Sequence, residues 1–514
     1  MVPAVLVPLA LQMCGCGDTA NPMPPADNRA PVSVHLFEWR WTDIAVECET
    51  NLGPAGFTAV QVSPPVEHAV LAGHPWWQRY QTVGYSVARS RSGTGEEFRD
   101  MVRRCAAAGV AIHVDAVINH MTAQSSGVGS NGTTYTKYSY PDLYAPDDFH
   151  SPPCTIADGD YQNAPDRVRD CELLGLADLN TSSDHVRDQI AGALATLVEL
   201  GVRGFRIDAA KHVAPSDLDA ILRRVSARVG SAKRPYYFFE VIDHGGEAIH
   251  AADYLAVGQG DAQAVDVTEF KYAAVTDAFG NRQGKTLAGL RPLGGLSQDG
   301  GGELLPADRA VVFINNHDTQ RAASLFYQDG PSFDLATAFM LAWPYGHPSL
   351  LSSFAFDRLT PAGRDAGPPS DSAGTTGPVY AAGSQIPSCS ADPTSSMGGW
   401  LCEHRRSYVA PLIGFRQATA SAPMVTNWWD DGANQIAFGR GDKGFVIINR
   451  GATSLRRVFA TALPAGSYCD VYPGLPTAAG CAAAPIQVDD AGAVDVSVAP
   501  WSAVVLHVGA QVRR

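Results

Sequence analysis

Three acidic residues stand where apolar runs end: Asp208 closes Gly204-Phe205-Arg206-Ile207-Asp208, Glu240 closes Tyr236-Tyr237-Phe238-Phe239-Glu240, and Asp318 follows Phe313-Ile314-Asn315-Asn316-His317. In extended backbone Arg206 and Asp208 share one face, with Phe205 and Ile207 on the other. A fixed cation beside Asp208 predicts a carboxylate that stays ionised. Glu240 sits among aromatic and aliphatic residues, so desolvation is expected to keep it protonated. Two carboxyl groups in opposite protonation states on one rim are what glycoside hydrolysis with retention requires, one as nucleophile and the other as acid and then base. A single strand-end acid more often caps a helix or pairs with arginine. Three of them, with His120, His212 and His317 alongside, point to a site.

The surrounding elements must hold those acids together. Residues 32–37, 57–63, 110–118, 236–242, 264–268, 311–314 and 349–353 read as strands, together with the run ending at Asp208. Helices are expected at 42–52, after a capping box made by Thr94 and Glu97, at 184–200 with Val186, Ile190, Leu194 and Leu197 on one face, and from Pro215-Ser216. Repeated β-α units with near-continuous apolar strands indicate a parallel sheet covered by helices. Chemistry-bearing residues recurring at strand ends favour a closed (β/α)₈ barrel, an α/β fold whose sites collect at that rim. Between 121 and 183 the rhythm stops, which predicts a small inserted domain. Beyond about residue 423 short strands separated by Gly and Asp turns predict an all-β sandwich. The expected organisation is thus a leader over 1–28, barrel over 29–120 and 184–422, an inserted domain over 121–183 and a β domain over 423–514.

With 514 residues, 45% hydrophobic and 18% charged, the chain reads as a large globular protein of several domains. A net charge of −14 argues against nucleic acid or an anionic membrane surface as partner. Residues 2–13 are almost wholly apolar and precede Cys14-Gly15-Cys16-Gly17. They resemble an export signal without its usual basic start and are too short to span a bilayer. Cys16 is a candidate lipid acceptor. The eight remaining cysteines, an even count in an exported chain, favour disulfides of open connectivity.

Four motifs occur in order: Asp115-Ala116-Val117-Ile118-Asn119-His120, Gly204 through His212, Phe239-Glu240-Val241-Ile242, and Phe313 through Asp318. Together with His35-Leu36-Phe37-Glu38-Trp39 and Gln61-Val62-Ser63-Pro64-Pro65 they closely resemble the α-amylases of glycoside hydrolase family 13, especially the animal-type branch with its bacterial members. The resemblance covers nearly all of residues 32–510. It implies an exported endo-acting hydrolase of α-1,4-glucans, taking starch, glycogen and maltooligosaccharides. A transglycosylase or maltooligosaccharide-forming enzyme, or a non-catalytic glucan-binding relative, is the alternative. A monomer is expected.

Carried over by position, Asp208 would be the nucleophile, Glu240 the acid/base and Asp318 the transition-state stabiliser. Asp115 would be architectural. Trp76, Trp77, Tyr80 and Gln81 resemble the family's aromatic platform, whose ring faces suit the apolar faces of glucose. His120 and His317 would bond the sugar at the cleavage point, Arg206 would fix the ionisation of Asp208, and Lys211 and His212 would contact the departing chain. The resemblance further implies Ca²⁺ bound by the side chains of Asn119 and Asp178 and the carbonyls of Arg169 and His212. It implies disulfides pairing Cys48 with Cys105, Cys154 with Cys171, Cys389 with Cys402 and Cys469 with Cys481. Animal members bind chloride through two arginines and an asparagine. Arg206 and Asn316 match, but Ser349 stands at the second arginine position, so chloride dependence is not expected. The Gly-rich mobile loop of those enzymes is replaced by the shorter stretch 319–331.

Overall fold

The apolar runs pair in sequence order and close on themselves. In the computed structural model, which describes residues 31–261, 265–293, 304–322, 324–389, 399–477 and 480–512, eight parallel strands form one barrel. They are β1 (Ser33–Leu36), β2 (Ala59–Val62), β3 (Ala111–Val117), β4 (Gly204–Asp208), β5 (Tyr236–Phe239), β6 (Asp266–Thr268), β7 (Ala310–Val312) and β8 (His347–Ser352). Each pairs with its neighbours in sequence, and β8 returns to β1 with Ser33 opposite Ser349. The leader, Cys16 and the expected strand start at Ala264 lie outside the described residues.

Strand ends differ from the sequence expectation for a definable reason. The expected 236–242 strand stops at Phe239 because the chain leaves the ladder there: Glu240 N still donates to Ile207 O at 3.0 Å, but Val241 N turns to the Thr268 hydroxyl at 3.1 Å. That exit swings Glu240 onto the rim.

Helices α1 (Trp41–Glu47) and α2 (Gly95–Ala107) cover the start of the barrel. The expected 42–52 helix is α1 followed by a wider turn over Cys48–Leu52. Thr94 caps α2 as its sequence predicts: Glu97 N donates to Thr94 Oγ1 at 3.3 Å and Thr94 N to Glu97 Oε2 at 2.7 Å. After the insert come α3 (Asp184–Glu199), α4 (Pro215–Val229), α5 (Ala273–Gly280), α6 (Pro331–Ala342) and α7 (Val409–Ala418). The insert itself, between β3 and α3, has little regular structure: a hairpin of Ser126–Val128 with Thr134–Thr136 and short helices at Asp160–Asn163 and Pro165–Asp170. All four implied disulfides are formed.

The seam between α1 and the last barrel segment is electrostatic. Glu47, fully buried, accepts from His404 Nε2 at 2.8 Å and from Arg405 Nε and Nη2, each at 2.8 Å. Burial pushes its carboxyl up, but the His404 and Arg405 bonds outweigh it and hold the pKa down at about 2. A carboxylate depressed on folding stabilises above its unfolded pKa and loses that contribution as pH falls through its folded value. We expect Glu47→Gln to cost about 3 kcal/mol at neutral pH, the linkage value of a shift of roughly two and a half units. Urea melts should show the gap to wild type narrowing as pH falls from about 5 towards 3. A gap constant over that range would refute the assignment.

The C-terminal strands β9 (Thr426–Asp430), β10 (Gln435–Arg440), β11 (Gly444–Asn449) and β14 (Ser502–His507) form one antiparallel sheet, and β12 (Leu455–Ala460) pairs with β13 (Ala493–Val498) in a second. Ala437, Phe445, Ile447, Val504 and Leu506 face the second sheet, packing with Phe459, Val494 and Val496. Their alternates Ile436, Phe438, Val446, Ile448 and Val505 belong to the main core. Phe438 meets Trp343, at the end of α6, with ring centroids 5.0 Å apart. Burial on both faces explains why β11 is apolar from Phe445 through Ile448.

Candidate active site

Register decides which charges meet. On β3 and β4 Asp115 lies opposite Arg206 and Val117 opposite Asp208, while on β5 Phe238 lies opposite Arg206. Arg206 therefore points into the barrel between two acid-bearing neighbours. Its Nη1 donates to Asp115 Oδ1 at 2.6 Å and to Asp208 Oδ1 at 2.9 Å, and its Nη2 lies 2.5 Å from Glu240 Oε1. The last is an ion pair without hydrogen-bonding direction, since neither atom has a hydrogen-bond partner. Glu240 Oε2 accepts from Ala209 N at 2.9 Å, and Ala209 adopts the left-handed conformation at φ 50° where β4 breaks into the loop. Beneath them, Tyr236, Phe238 and Val311 fill the barrel.

One guanidinium serving three carboxylates leaves a surplus of two negative charges in a buried space. Burial raises the Asp208 carboxyl well above the usual range. Arg206 opposes this, while the charges of Glu240 and Asp115 add to it. Asp318 is pushed up to about 7 by burial and by the Glu240 charge, although its side chain is 42% exposed to the cleft and water screens part of that push. The arginine expected to serve Asp208 alone is thus shared with Asp115 and Glu240.

A cleft of about 810 Å³ opens above this cluster. Asp208, Glu240 and Asp318 line it, with Trp76, Trp77, Tyr80, Gln81, His120, Lys211, His212 and His317. Arg206, grouped with these from the sequence, is only 4% exposed and reaches the cleft through its carboxylates. Both indole N–H groups are tied down, Trp76 to Arg364 O at 3.0 Å and Trp77 to Asp365 Oδ1 at 3.3 Å. Tyr80 donates its hydroxyl to Asp115 Oδ2 at 2.8 Å and stacks on His317, centroids 5.1 Å apart and 7° from parallel. His120 donates Nε2–H to Tyr80 O at 3.0 Å and so accepts at Nδ1 from Asn119 Nδ2 at 3.3 Å. Burial lowers His120 and His212 to about 4 each and drives His317 well below its usual value, so all three face the cleft neutral. Neutral rings and carboxylates suit a polyhydroxylated neutral ligand.

The chain matches the α-amylase catalytic domain over residues 54–227 and the α-amylase C-terminal all-β domain over residues 426–509. It is 43% identical to the α-amylase of Tenebrio molitor over 478 residues, 90% of this chain and 94% of that one. The chain belongs to the α-amylase family. A bacterial relative, the α-amylase of Thermomonospora curvata, is 44% identical over 95% of this chain and 74% of its own. The α-amylase I of Eisenia fetida, solved as wild type and as a Glu-to-Gln variant complexed with maltohexaose, superposes with a TM-score of 0.81 at 38% identity, covering 94% of this chain and 97% of that one.

Sequence reasoning passed over several cleft residues. Glu247 lines the cleft and pairs with Lys211, whose ammonium also donates to Ile242 O at 2.6 Å and lies 5.0 Å from the centre of the Tyr161 ring. Its one signal was its place in a Gly-Gly turn shortly after Glu240. Asp365 lies in a Gly- and Pro-rich stretch without strand or helix periodicity. Glu38 carries the platform from below. Wholly buried at φ 68°, it lies 3.6 Å from Arg79 and 3.5 Å from Arg91; Arg79, in the platform turn, donates to Pro64 O, and Arg91 donates to Pro75 O just before it.

The four residues implied for calcium come from three converging segments. His120 and Asp178 bridge as antiparallel partners beside Asn119, and His212 Nδ1–H donates to Val168 O, next to Arg169, at 2.8 Å. Asn119 donates an amide N–H to His120, and Asp178 Oδ1 is buried with no hydrogen-bond partner while Oδ2 accepts from His150 at 2.6 Å. An unspent buried carboxylate oxygen beside an amide side chain and backbone carbonyls fits a hard cation. An anion fits less well beneath Arg206. A cavity of about 30 Å³ there is lined by Arg206, Asn316, Ser349, His35 and Gln61, and its one cation is already shared by three carboxylates.

Proposed function

We propose that this chain is an α-amylase acting on internal α-1,4-glucosidic bonds of starch or glycogen with retention, through a glycosyl-aspartate. Asp208 attacks the anomeric carbon while Glu240 protonates the departing glycosidic oxygen. Glu240 then takes a proton from water, which displaces Asp208, and Asp318 orients sugar hydroxyls as positive charge develops at the ring. Trp76, Trp77 and Tyr80 hold glucose rings on one side. Lys211, His212 and Glu247 meet the chain on the other.

The observation that carries this reading is the attachment of Asp208 and Glu240 to two nitrogens of one guanidinium. That keeps the carboxyls close, as direct attack needs, whereas inversion requires room for a water between them. A soluble-starch digest by wild type and Glu240→Gln, with product analysis, tests it: hydrolysis products should dominate and disappear in the variant. Unchanged hydrolysis by the variant, or transfer products in excess, would overturn it.

Asn119 and Asp178, with the carbonyls of Arg169 and His212, would hold calcium as a structural link between insert and barrel. Dialysis against a chelator should lower the melting temperature by on the order of 5–10 °C, and calcium should restore it. Chloride removal in the same series should leave the rate unchanged. A rate restored by chloride would refute that expectation. Four disulfides suit an oxidising, extracytoplasmic compartment, and among the described residues no helix is long and apolar enough to cross a membrane.

A further inference from the structure

The segment that follows Asp318 carries a cation with no part in the chemistry above. Arg321 is buried, and its guanidinium carbon lies 4.4 Å from the centre of the Phe356 ring, 4.6 Å from Trp76, 5.4 Å from Phe354 and 5.6 Å from Phe37. Its Nη1 donates to His317 O at 2.6 Å and its Nε to Arg364 O at 3.0 Å. The Arg364 carbonyl also accepts from Trp76 Nε1 at 3.0 Å, so one oxygen ties the tryptophan and the arginine together. The next residue, Asp365, accepts from Trp77. Three separate parts of the rim thus meet at one guanidinium: the platform turn Trp76–Tyr80, the His317-Asp318 corner and the turn Pro361–Asp365.

We propose that Arg321 is a positioning residue that locks the Trp76 ring to the Asp318 corner, setting how glucan rings on the tryptophan side are presented to the reacting carboxylates. The claim rests on the amylase reading of the cleft. Arg321 does not line the cleft, so its effect travels through Trp76 and His317. A planar fork is needed, because an ammonium at the same place cannot bond two carbonyls in fixed directions while lying flat between rings. Cations over aromatic faces gain most where water is excluded, as here.

The test is a double-mutant cycle in kcat/KM on soluble starch, using Arg321→Lys, Trp76→Ala and the pair, all well below their melting temperatures. Arg321→Lys should lower kcat/KM on the order of 10- to 100-fold, as loss of substrate positioning does, with most of the loss in KM. In the Trp76→Ala background the same change should cost about threefold or less, because the ring it holds is gone. Phe356→Leu, which removes one face of the guanidinium's cage without touching the cleft, should show the same dependence on Trp76, and it serves if Arg321→Lys does not fold. Equal fold-losses in both backgrounds would overturn the proposal, since a purely structural arginine acts independently of Trp76. Failure of the amylase reading would show differently, as Trp76→Ala or Glu240→Gln leaving starch hydrolysis intact.

Discussion

Glu240→Gln lowers kcat on soluble starch by about 10²- to 10⁴-fold, the usual contribution of a positioned general acid, while the protein keeps its wild-type melting behaviour. The amide can still accept from Ala209 N and fill the same space, so the loss is one of proton supply and not of shape. The loss depends on the leaving group. A glycosyl fluoride departs without protonation, so its first displacement should persist in the variant when starch cleavage does not. Equal losses on the two substrates would remove Glu240 from the acid role, and a folded variant with full starch activity would remove it from the mechanism.

Asp208→Asn should be more severe, on the order of 10⁴-fold or more in kcat, because it removes the nucleophile on which both displacements depend. No substrate with a better leaving group should rescue it. Stability should move the other way. The Asp208 carboxyl is raised on folding by burial, against the pull of Arg206. A carboxyl whose folded pKa exceeds its unfolded value weakens the fold at every pH above the unfolded pKa. The neutral amide relieves the crowding of three acids on one guanidinium, so the variant should melt no lower than wild type near pH 7, and its advantage should shrink as pH falls towards 4. A clearly lower melting temperature would mean that Asp208 serves as a structural partner of Arg206, and measurable turnover of the fluoride would displace it as nucleophile.

The fate of the paired expectations about Asp208 and Glu240 shows how far sequence reasoning reached. Alternation placed Arg206 and Asp208 on one face correctly, and from that the arginine was assigned to Asp208 alone. The strands on either side bring Asp115 and Glu240 to the same guanidinium, and alternation within one strand carries no information about its neighbours' register. Asp115, expected to be architectural, does hold Arg206 and Tyr80 in place. Asp365 and Arg321 were invisible because loops without periodicity give no hint of where they return, and both matter through contacts with residues far away in sequence.

By itself the sequence determined the eight-strand rhythm, the position of the insert, the change to an all-β domain and the acids at strand ends. All of these are local: they follow from alternation, helical period, turn residues and motif spacing along the chain. The tertiary structure decided what those residues do to one another. It set one buried guanidinium beneath three carboxylates, made the cleft histidines neutral and turned an unremarked arginine into the joint of three loops. Charge interactions and desolvation depend on distance through space and on exclusion of water, and both exist only once the barrel has closed.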